Sequence, residues 1–153
     1  MLEAVSHIGL WVRDQDEAKA FYTDVLGFEV RDDNTLDELG GYRWLTVGPA
    51  DQPDLNIILG TPGPPAVDDA TAKEALDLAA KGGMSGGILR TSDCHATCEE
   101  LTARGLELTQ EPDERFYGID AAFRDPSGNQ WRIVQPTEFD PEILKRQAAA
   151  GEW

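Results

Sequence analysis

Cysteine, histidine and basic residues are scarce in this sequence of 153 residues, which contains two Cys, two His, and 13 Lys or Arg against 29 Asp or Glu. Two cysteines are too few for the disulfide framework of a small secreted domain. The formal net charge of −16 argues against nucleic-acid binding, because affinity for phosphates needs a basic surface. An acidic membrane leaflet would repel the chain as well. We therefore expect neither a nucleic acid nor a membrane as a partner.

Long hydrophobic runs are also missing from the sequence. No stretch approaches the roughly 18 consecutive apolar residues that a transmembrane helix needs. The N-terminal residues MLEAVSHIGLWVRDQDE have neither the basic start nor the small-residue cleavage site of a signal peptide, so we predict a cytoplasmic protein. Hydrophobic residues make up 41% of the chain, which is typical of a folded protein, and the length predicts a single structural domain.

Two segments of the sequence resemble each other. They read SHIGLWVRDQDEAKAFYTDVLGFEV at residues 6–30 and SGGILRTSDCHATCEELTARGLEL at residues 85–108. Each has a short apolar strand pattern, an acidic residue suited to a helix N-cap, a helical pattern, a glycine and a second strand. Asp14 then corresponds to Asp93, and Gly27 corresponds to Gly105. Because two more strand patterns follow each segment, we predict two βαβββ modules in tandem.

The segments between and after the repeats complete an α+β fold. The predicted organisation is a first module at 1–60, a linker with a helix at 61–83, a second module at 84–137 and a C-terminal helix at 138–153. A capping box from Thr71 to Glu74 predicts that the linker helix covers residues 69–81. Asp140 followed by Pro141 predicts the start of the last helix. DPSGN at residues 125–129 is a strong turn pattern between two strands.

Two stretches carry a resemblance to a known family. They are the first repeat, with His7 in its first strand, and YGIDAAFRDPSGNQWRIVQP, in which the DPSGN turn precedes the last strand. Over roughly residues 4–137 the chain resembles the vicinal oxygen chelate superfamily, which contains glyoxalase I, bleomycin-resistance proteins and extradiol dioxygenases. The resemblance implies that the two tandem modules form a cup-shaped curved mixed sheet with the helices outside. It also implies a homodimer, because dimerisation usually completes the cup.

The resemblance has a consequence for metal binding. Enzymes of this superfamily hold a divalent metal in the cup through His and carboxylate ligands, and the equivalent positions here are His7, Asn56, Gly86 and Arg132. Of these residues only His7 is a good ligand, since Asn is a poor substitute for Glu, glycine has no side chain and Arg repels a cation. We expect no cofactor, with a divalent metal as the open alternative.

The loss of metal ligands favours binding over catalysis. Metal-free members of the superfamily sequester drugs stoichiometrically, so the resemblance implies a metal-independent binding protein of the glyoxalase/bleomycin-resistance type. We expect it to hold a planar or cationic small molecule, because aromatic residues lie on the strands and the acidic net charge favours cationic over anionic ligands. The alternative is a metal-dependent lyase, isomerase or dioxygenase with atypical ligands, or a metal-free catalyst that uses His7 and Tyr117. Whether the chain is a binding protein or an enzyme, the sequence alone does not establish which residues would be catalytic.

The candidate ligand contacts lie on or beside the strands that face the cup. A planar ligand is typically held between aromatic side chains with a few placed polar groups. The candidates are His7, Asn56, Arg132, Arg90, Trp44 and Tyr117. Alternation along a strand places Arg132 towards the cup and Trp131 beneath the helices.

Each candidate also has a purely structural interpretation. His7 could be a core histidine, Asn56 and Arg132 could hydrogen-bond each other or His7, and Trp44 could belong to the core. Cys94 and Cys98 could form a metal or redox site with His95, but their helical spacing favours two buried, small apolar side chains.

Overall fold

The computed structural model describes residues 1–152 and has an α+β fold of eight strands and four main helices in that range. The strands are β1 (His7–Trp11), β2 (Glu29–Leu36), β3 (Tyr42–Gly48), β4 (Asn56–Gly60), β5 (Ser85–Arg90), β6 (Leu108–Arg115), β7 (Gly118–Arg124) and β8 (Gln130–Pro136). The helices are α1 (Gln15–Ala20), α2 (Asp69–Ala80), α3 (Cys94–Ala103) and α4 (Pro141–Ala150). None of the helices in residues 1–152 is long and apolar enough to cross a membrane.

Contacts divide the chain into two compact units. The first unit comprises Met1–Ser85 together with Asp125–Asn129, and the second comprises Gly86–Arg124 together with Gln130–Trp153. Each unit is built on one four-stranded mixed sheet. The two sheets have equivalent strand orders, β1-β4-β3-β2 and β5-β8-β7-β6, as expected for two βαβββ modules.

The first sheet has one core face and one open face. β1 and β4 are parallel, so His7 is the register partner of Asn56 and lies beside it on the same face. β3 is antiparallel to β4 and to β2. The opposite face packs beneath the helices. Its core residues include Leu10, Val12, Tyr22, Leu45, Val47, Ile57 and Leu59.

The second sheet repeats this arrangement. β7 is antiparallel to both β6 and β8, and α3 packs against these three strands. Trp131 is 2% exposed and stacks on Phe123, with ring centroids 6.5 Å apart, so its predicted position beneath the helices is confirmed. The other core residues include Cys94, Cys98, Leu101, Leu106, Ala121 and Ile133.

The DPSGN turn is a buried part of the first unit. Asp125 accepts hydrogen bonds from the Tyr22 hydroxyl (2.9 Å) and from the backbone amides of Ser127 (3.0 Å) and Asn129 (2.9 Å). The Asn129 side chain donates to the Trp11 carbonyl oxygen at 3.0 Å. Since Asp125 and Asn129 are both buried, these bonds satisfy polar groups that water cannot reach.

Most helix boundaries follow from capping residues. Asp14, Asp93 and Asp140 each accept a backbone amide at the start of their helices, as predicted. The predicted range of the linker helix is right to within one residue, but the capping box from Thr71 is wrong. The helix begins at Asp69, so its N-cap is Asp68, which accepts from the Thr71 amide at 2.7 Å.

Candidate ligand-binding site

The second unit contains a cavity of about 960 Å³ on the open side of its sheet. Drug-sized ligands typically occupy sites of roughly 300–1,000 Å³. Phe116, Tyr117 and Arg132 line this cavity together with residues of β6 and of the C-terminal segment. Two predicted contacts, Arg132 and Tyr117, therefore belong to one site.

Arg132 is held in place by Asp120, a fully buried carboxylate. The Arg132 Nε atom lies 3.0 Å and 2.9 Å from the two Asp120 carboxylate oxygens, and Nη2 also donates to Oδ2. The Asp120 side chain is 0% exposed, whereas the Arg132 side chain is 39% exposed. The sheet register explains the pair, because Arg132 is opposite Ala122 and Asp120 lies two residues before Ala122 on the same face. The remaining exposed surface of the guanidinium faces the cavity.

Tyr117 and Gln110 complete a polar network around this ion pair. The Tyr117 hydroxyl donates to Asp120 Oδ2. Gln110 accepts from Arg132 Nη2 at 3.2 Å and donates its own amide to the Asp120 carbonyl oxygen at 3.0 Å. Because Asp120 is buried and bonded to Arg132, Tyr117 and Gln110, the network holds the Arg132 side chain in one arrangement and preorganises it.

The network shifts two acid–base equilibria. Hydrogen bonding to Asp120 raises the pKa of Arg132 above its ordinary value, which keeps the guanidinium charged. Burial, and then the hydrogen bond to Asp120, raise the pKa of Tyr117, so its hydroxyl stays protonated at neutral pH. Neither group is poised to act as a general base near pH 7.

The C-terminal helix closes one side of the cavity. The Gln147 side chain of α4 is buried and donates to the Glu114 carbonyl oxygen at 2.7 Å. Arg115 donates to the Glu152 carbonyl oxygen at 3.2 Å and forms an ion pair with Asp113 at 3.1 Å. The cavity wall therefore contains charged groups that are largely neutralised by one another.

Three other predicted contacts lie together on the open face of the first unit. The rings of His7 and Trp44 are 5.9 Å apart between centroids, and Asn56 is the register partner of His7. His7 is exposed and its Nδ1 atom lies 3.0 Å from the Ser6 hydroxyl, so the interpretation as a core histidine is wrong. Trp44 is half-buried rather than part of the core.

Arg90 is separate from the cavity. Its side chain is exposed at the end of β5 and is not among the residues that line the cavity of the second unit.

The prediction that Arg132 hydrogen-bonds Asn56 or His7 is replaced by its pairing with Asp120 and Gln110. Asn56 approaches the Ser6 carbonyl oxygen, at 3.5 Å.

Backbone pairing refines the comparison of the two modules. Val12 and Thr91 are equivalent residues, because each lies two residues before the aspartate that caps the following helix. The Val12 amide donates to the Gly60 carbonyl oxygen, and the Thr91 amide donates to the Val134 carbonyl oxygen. Gly60 therefore corresponds to Val134, and Ile58 corresponds to Arg132. The first-module residue equivalent to Arg132, which we predicted to be Asn56, is therefore Ile58, an apolar side chain two residues further along.

Gly86 has no room for a ligating side chain. A Cβ atom at this residue would lie 2.3 Å from the indole of Trp131.

The cysteines and His95 do not form a metal site. His95 is exposed while Cys94 and Cys98 are buried, and among the described residues no group of three His, Cys, Asp or Glu side chains could hold a metal ion. Burial raises the pKa of the Cys98 thiol to about 12, which is typical of an unreactive cysteine.

Asp120 and Gln110 are the site residues that sequence analysis missed. The motif GIDAAF predicts a buried strand, and the one acidic residue within it is the signal that could have revealed Asp120. A carboxylate inside a buried strand needs a cationic partner. Arg132, which we had assigned to the same open face, was the available candidate.

The sequence comparisons identify relatives over nearly the whole chain. The family model described as Glyoxalase/Bleomycin resistance protein/Dioxygenase superfamily matches residues 4–133. The uncharacterized protein YurT of Bacillus subtilis (strain 168) is 32% identical over 82% of this chain and 94% of its own length. An uncharacterized protein of Shewanella frigidimarina (strain NCIMB 400) is 29% identical over 92% of this chain and 99% of its own length.

Solved structures agree with the family assignment. The crystal structure of UcmS2 is 45% identical, with a TM-score of 0.82, and covers 88% of this chain and 99% of the UcmS2 chain. TnmS3, described as an antibiotic binding protein from Streptomyces sp. CB03234, is 30% identical, with a TM-score of 0.69, and covers 89% of this chain and 98% of the TnmS3 chain. The chain belongs to the Glyoxalase/Bleomycin resistance protein/Dioxygenase superfamily.

Proposed function

We propose that this chain is a metal-independent binding protein that sequesters a planar small molecule in the cavity of the second unit. The observation that carries the proposal is the fixed pair of Arg132 and Asp120. Arg132 occupies a position at which enzymes of the family hold a metal ligand, and its guanidinium is bound to a buried carboxylate. The polar centre of the cavity is thus a cation supplied by the protein itself.

The donor set in each unit does not fit a divalent metal. In the second unit Gly86 cannot carry a ligand, and Arg132 would repel the ion. In the first unit His7 has the weak donor Asn56 as its neighbour, and Ile58 stands at the position equivalent to Arg132. A catalytic zinc ion typically needs about three protein ligands, so we derive no reaction step that uses a metal.

The cavity suits an organic ligand with an aromatic surface. Phe116 and Tyr117 line it with rings at 90° to each other, and their centroids are 5.0 Å apart. Aromatic side chains bind flat apolar surfaces, and a few polar groups fix the orientation of the ligand. TnmS3 is described as an antibiotic binding protein, which supports an antibiotic as the class of ligand for this chain.

The test is binding without metal and without turnover. Protein treated with a chelator is titrated with a panel of planar aromatic antibiotics, and binding is followed by tryptophan fluorescence and by calorimetry. We expect a compound that saturates at one molecule per chain and is recovered unchanged after long incubation. Conversion of the compound to a product, or binding that appears only after a divalent metal is added, would support the alternative of an enzyme.

Assembly and location belong to the same proposal. We expect the chain to be cytoplasmic. We also expect a homodimer, because β1 and β2 are the outer strands of the first sheet and β5 and β6 are the outer strands of the second. Outer strands leave unpaired backbone groups that a second copy can cover. The exposed His7, with Asn56 and the half-buried Trp44, belongs to the proposal as a further set of ligand contacts on the first unit. Analytical ultracentrifugation at micromolar concentration measures the oligomeric state directly.

A further inference from the structure

Arg132 has two N–H groups that find no acceptor in residues 1–152. A guanidinium carries five N–H donors, one on Nε and two on each Nη atom. Nε and Nη2 bond to Asp120, and Nη2 also bonds to Gln110. Within residues 1–152, Nη1 has no hydrogen-bond acceptor, and Arg132 lines the cavity. The two N–H groups of Nη1 are therefore available to a bound molecule.

The charge of Arg132 is already balanced. The buried Asp120 carboxylate neutralises it at contact distance, and the ion pair of Arg115 with Asp113 adds no net charge to the wall. Glu152 also contributes to the lining, so an anionic ligand finds no uncompensated positive charge there. At the Nη1 atom of Arg132, a cationic ligand would meet N–H donors instead of acceptors. A neutral ligand avoids both penalties.

We propose that the cavity selects neutral aromatic carbonyl compounds, whose carbonyl oxygen accepts hydrogen bonds from Arg132 Nη1. A carbonyl oxygen has two lone pairs and matches the two free N–H groups. This inference rests on the proposed binding function and narrows its ligand class. It replaces the expectation of a cationic ligand, which came from the net charge of the whole chain.

Four compounds of similar size and shape test the inference. They are 9-fluorenone, which has a neutral carbonyl group, fluorene, which lacks it, the anion fluorene-9-carboxylate and the cation 9-aminoacridinium. Affinities for the wild-type protein are measured by calorimetry in the presence of a chelator. Because a hydrogen bond to a charged donor contributes substantially in a cavity, we expect fluorenone to bind at least about tenfold more tightly than each of the others.

Two changes at the site separate the role of Arg132 in recognition from its role in folding. Arg132→Lys keeps a cation beside Asp120 but loses the planar fork of donors. The double variant Asp120→Asn with Arg132→Met removes both charges together. Each should reduce the preference for fluorenone over fluorene to about twofold or less. Arg104→Lys, whose native residue pairs with Glu100 on the surface of α3, is the control and should keep the full preference.

The possible outcomes separate the two proposals. Equal binding of fluorenone and fluorene, or a preference that survives both changes, overturns the inference and leaves the binding function intact. Tightest binding of the carboxylate or of the cation overturns the neutral ligand class. If none of the four compounds binds a folded wild-type protein, the proposed binding function fails in this cavity, and the inference fails with it.

Discussion

At the scale of single residues, the buried pair of Asp120 and Arg132 determines the chemistry of the site. A buried carboxylate without a partner is strongly unfavourable, so each residue depends on the other. This explains how the second sheet accommodates an arginine on its open face. Asp120 supplies the negative charge inside the second sheet that compensates the guanidinium.

The first prediction concerns the stability of this pair. Arg132→Met should lower the free energy of unfolding by about 3–5 kcal/mol, because it leaves the Asp120 carboxylate buried without a cationic partner. The double variant Asp120→Asn with Arg132→Met should recover a large part of that loss. Urea denaturation followed by circular dichroism measures both values. A single variant as stable as the double variant would show that the pair is not buried as described.

The second prediction concerns acid stability. Asp33 accepts hydrogen bonds from Arg43 (2.7 Å) and Lys19 (2.7 Å), and these bonds hold the pKa of its carboxyl well below its ordinary value. A lowered pKa in the folded state stabilises the protein above the unfolded pKa of about 4, and this stabilisation is lost as the pH falls below that value. We therefore expect Asp33→Asn to reduce the slope of stability against pH below about pH 5.

Thermal unfolding between pH 2 and pH 7 measures this slope. Asp51→Asn, on an exposed turn, is the matched control and should retain the wild-type slope. Parallel curves for wild type and Asp33→Asn would show that the bonds to Arg43 and Lys19 do not contribute to stability in solution.

At the scale of structural elements, the DPSGN turn has a structural role in the first unit. Gly128 has a φ of +98°, and a Cβ atom there would lie 2.0 Å from the Ala79 carbonyl oxygen. The glycine is required both by its backbone conformation and by this close approach to the end of α2. The Tyr22 hydroxyl fixes the same turn through Asp125.

The third prediction follows from this contact. Gly128→Ala should reduce the free energy of unfolding by more than about 1 kcal/mol, because alanine fits neither the dihedral angle nor the space. Gly63→Ala is the matched control, since a Cβ atom at Gly63 meets nothing within 4 Å. Equal denaturation midpoints for the two variants would contradict the packing of the turn.

The fourth prediction concerns β5 and Trp131. Gly86→Ala should destabilise the chain, because the added Cβ atom meets the indole of Trp131. Gly9→Ala on β1 should be tolerated, because the equivalent Cβ atom lies in open space. Trp131→Ala should cost about 3–5 kcal/mol by removing a buried indole from the core. Chemical denaturation compares the three variants, and a neutral Gly86→Ala variant would restore Gly86 as a position for a ligating side chain.

The elements differ in how much of them the sequence predicts. Asp14 and Asp93 specify helix starts through local hydrogen bonds, and such local chemistry is visible in the sequence. The helical turn after α1, at Phe21–Val25, is wider than an α-helix, with a bond from the Leu26 amide to the Phe21 carbonyl oxygen, and no local pattern predicted it. β6 continues to Arg115 through polar residues that pair with β7, and such residues carry no apolar strand pattern.

At the scale of the whole molecule, the tandem repeat predicted two βαβββ modules, and the structure has two sheets with equivalent strand orders. The pairing of Asp120 with Arg132 was not predicted, because it depends on register between strands rather than on neighbouring residues. The same limit explains why the DPSGN segment, at 125–129, belongs to the first unit although it lies between two strands of the second sheet. The first-module equivalent of Arg132 was predicted at Asn56 instead of Ile58, since the first module has no DPSGN turn to mark the start of its last strand.

The measurement that tests this account most directly is a nuclear magnetic resonance titration of chelator-treated, ¹⁵N-labelled protein with 9-fluorenone. The Arg132 Nε–H signal and the amides of Phe116 and Tyr117 report on the cavity. We predict that these signals shift without added metal and saturate at one molecule per chain. Signals that stay unchanged until Zn²⁺ or Mn²⁺ is added, or shifts confined to residues away from the cavity, would contradict metal-independent binding at Arg132.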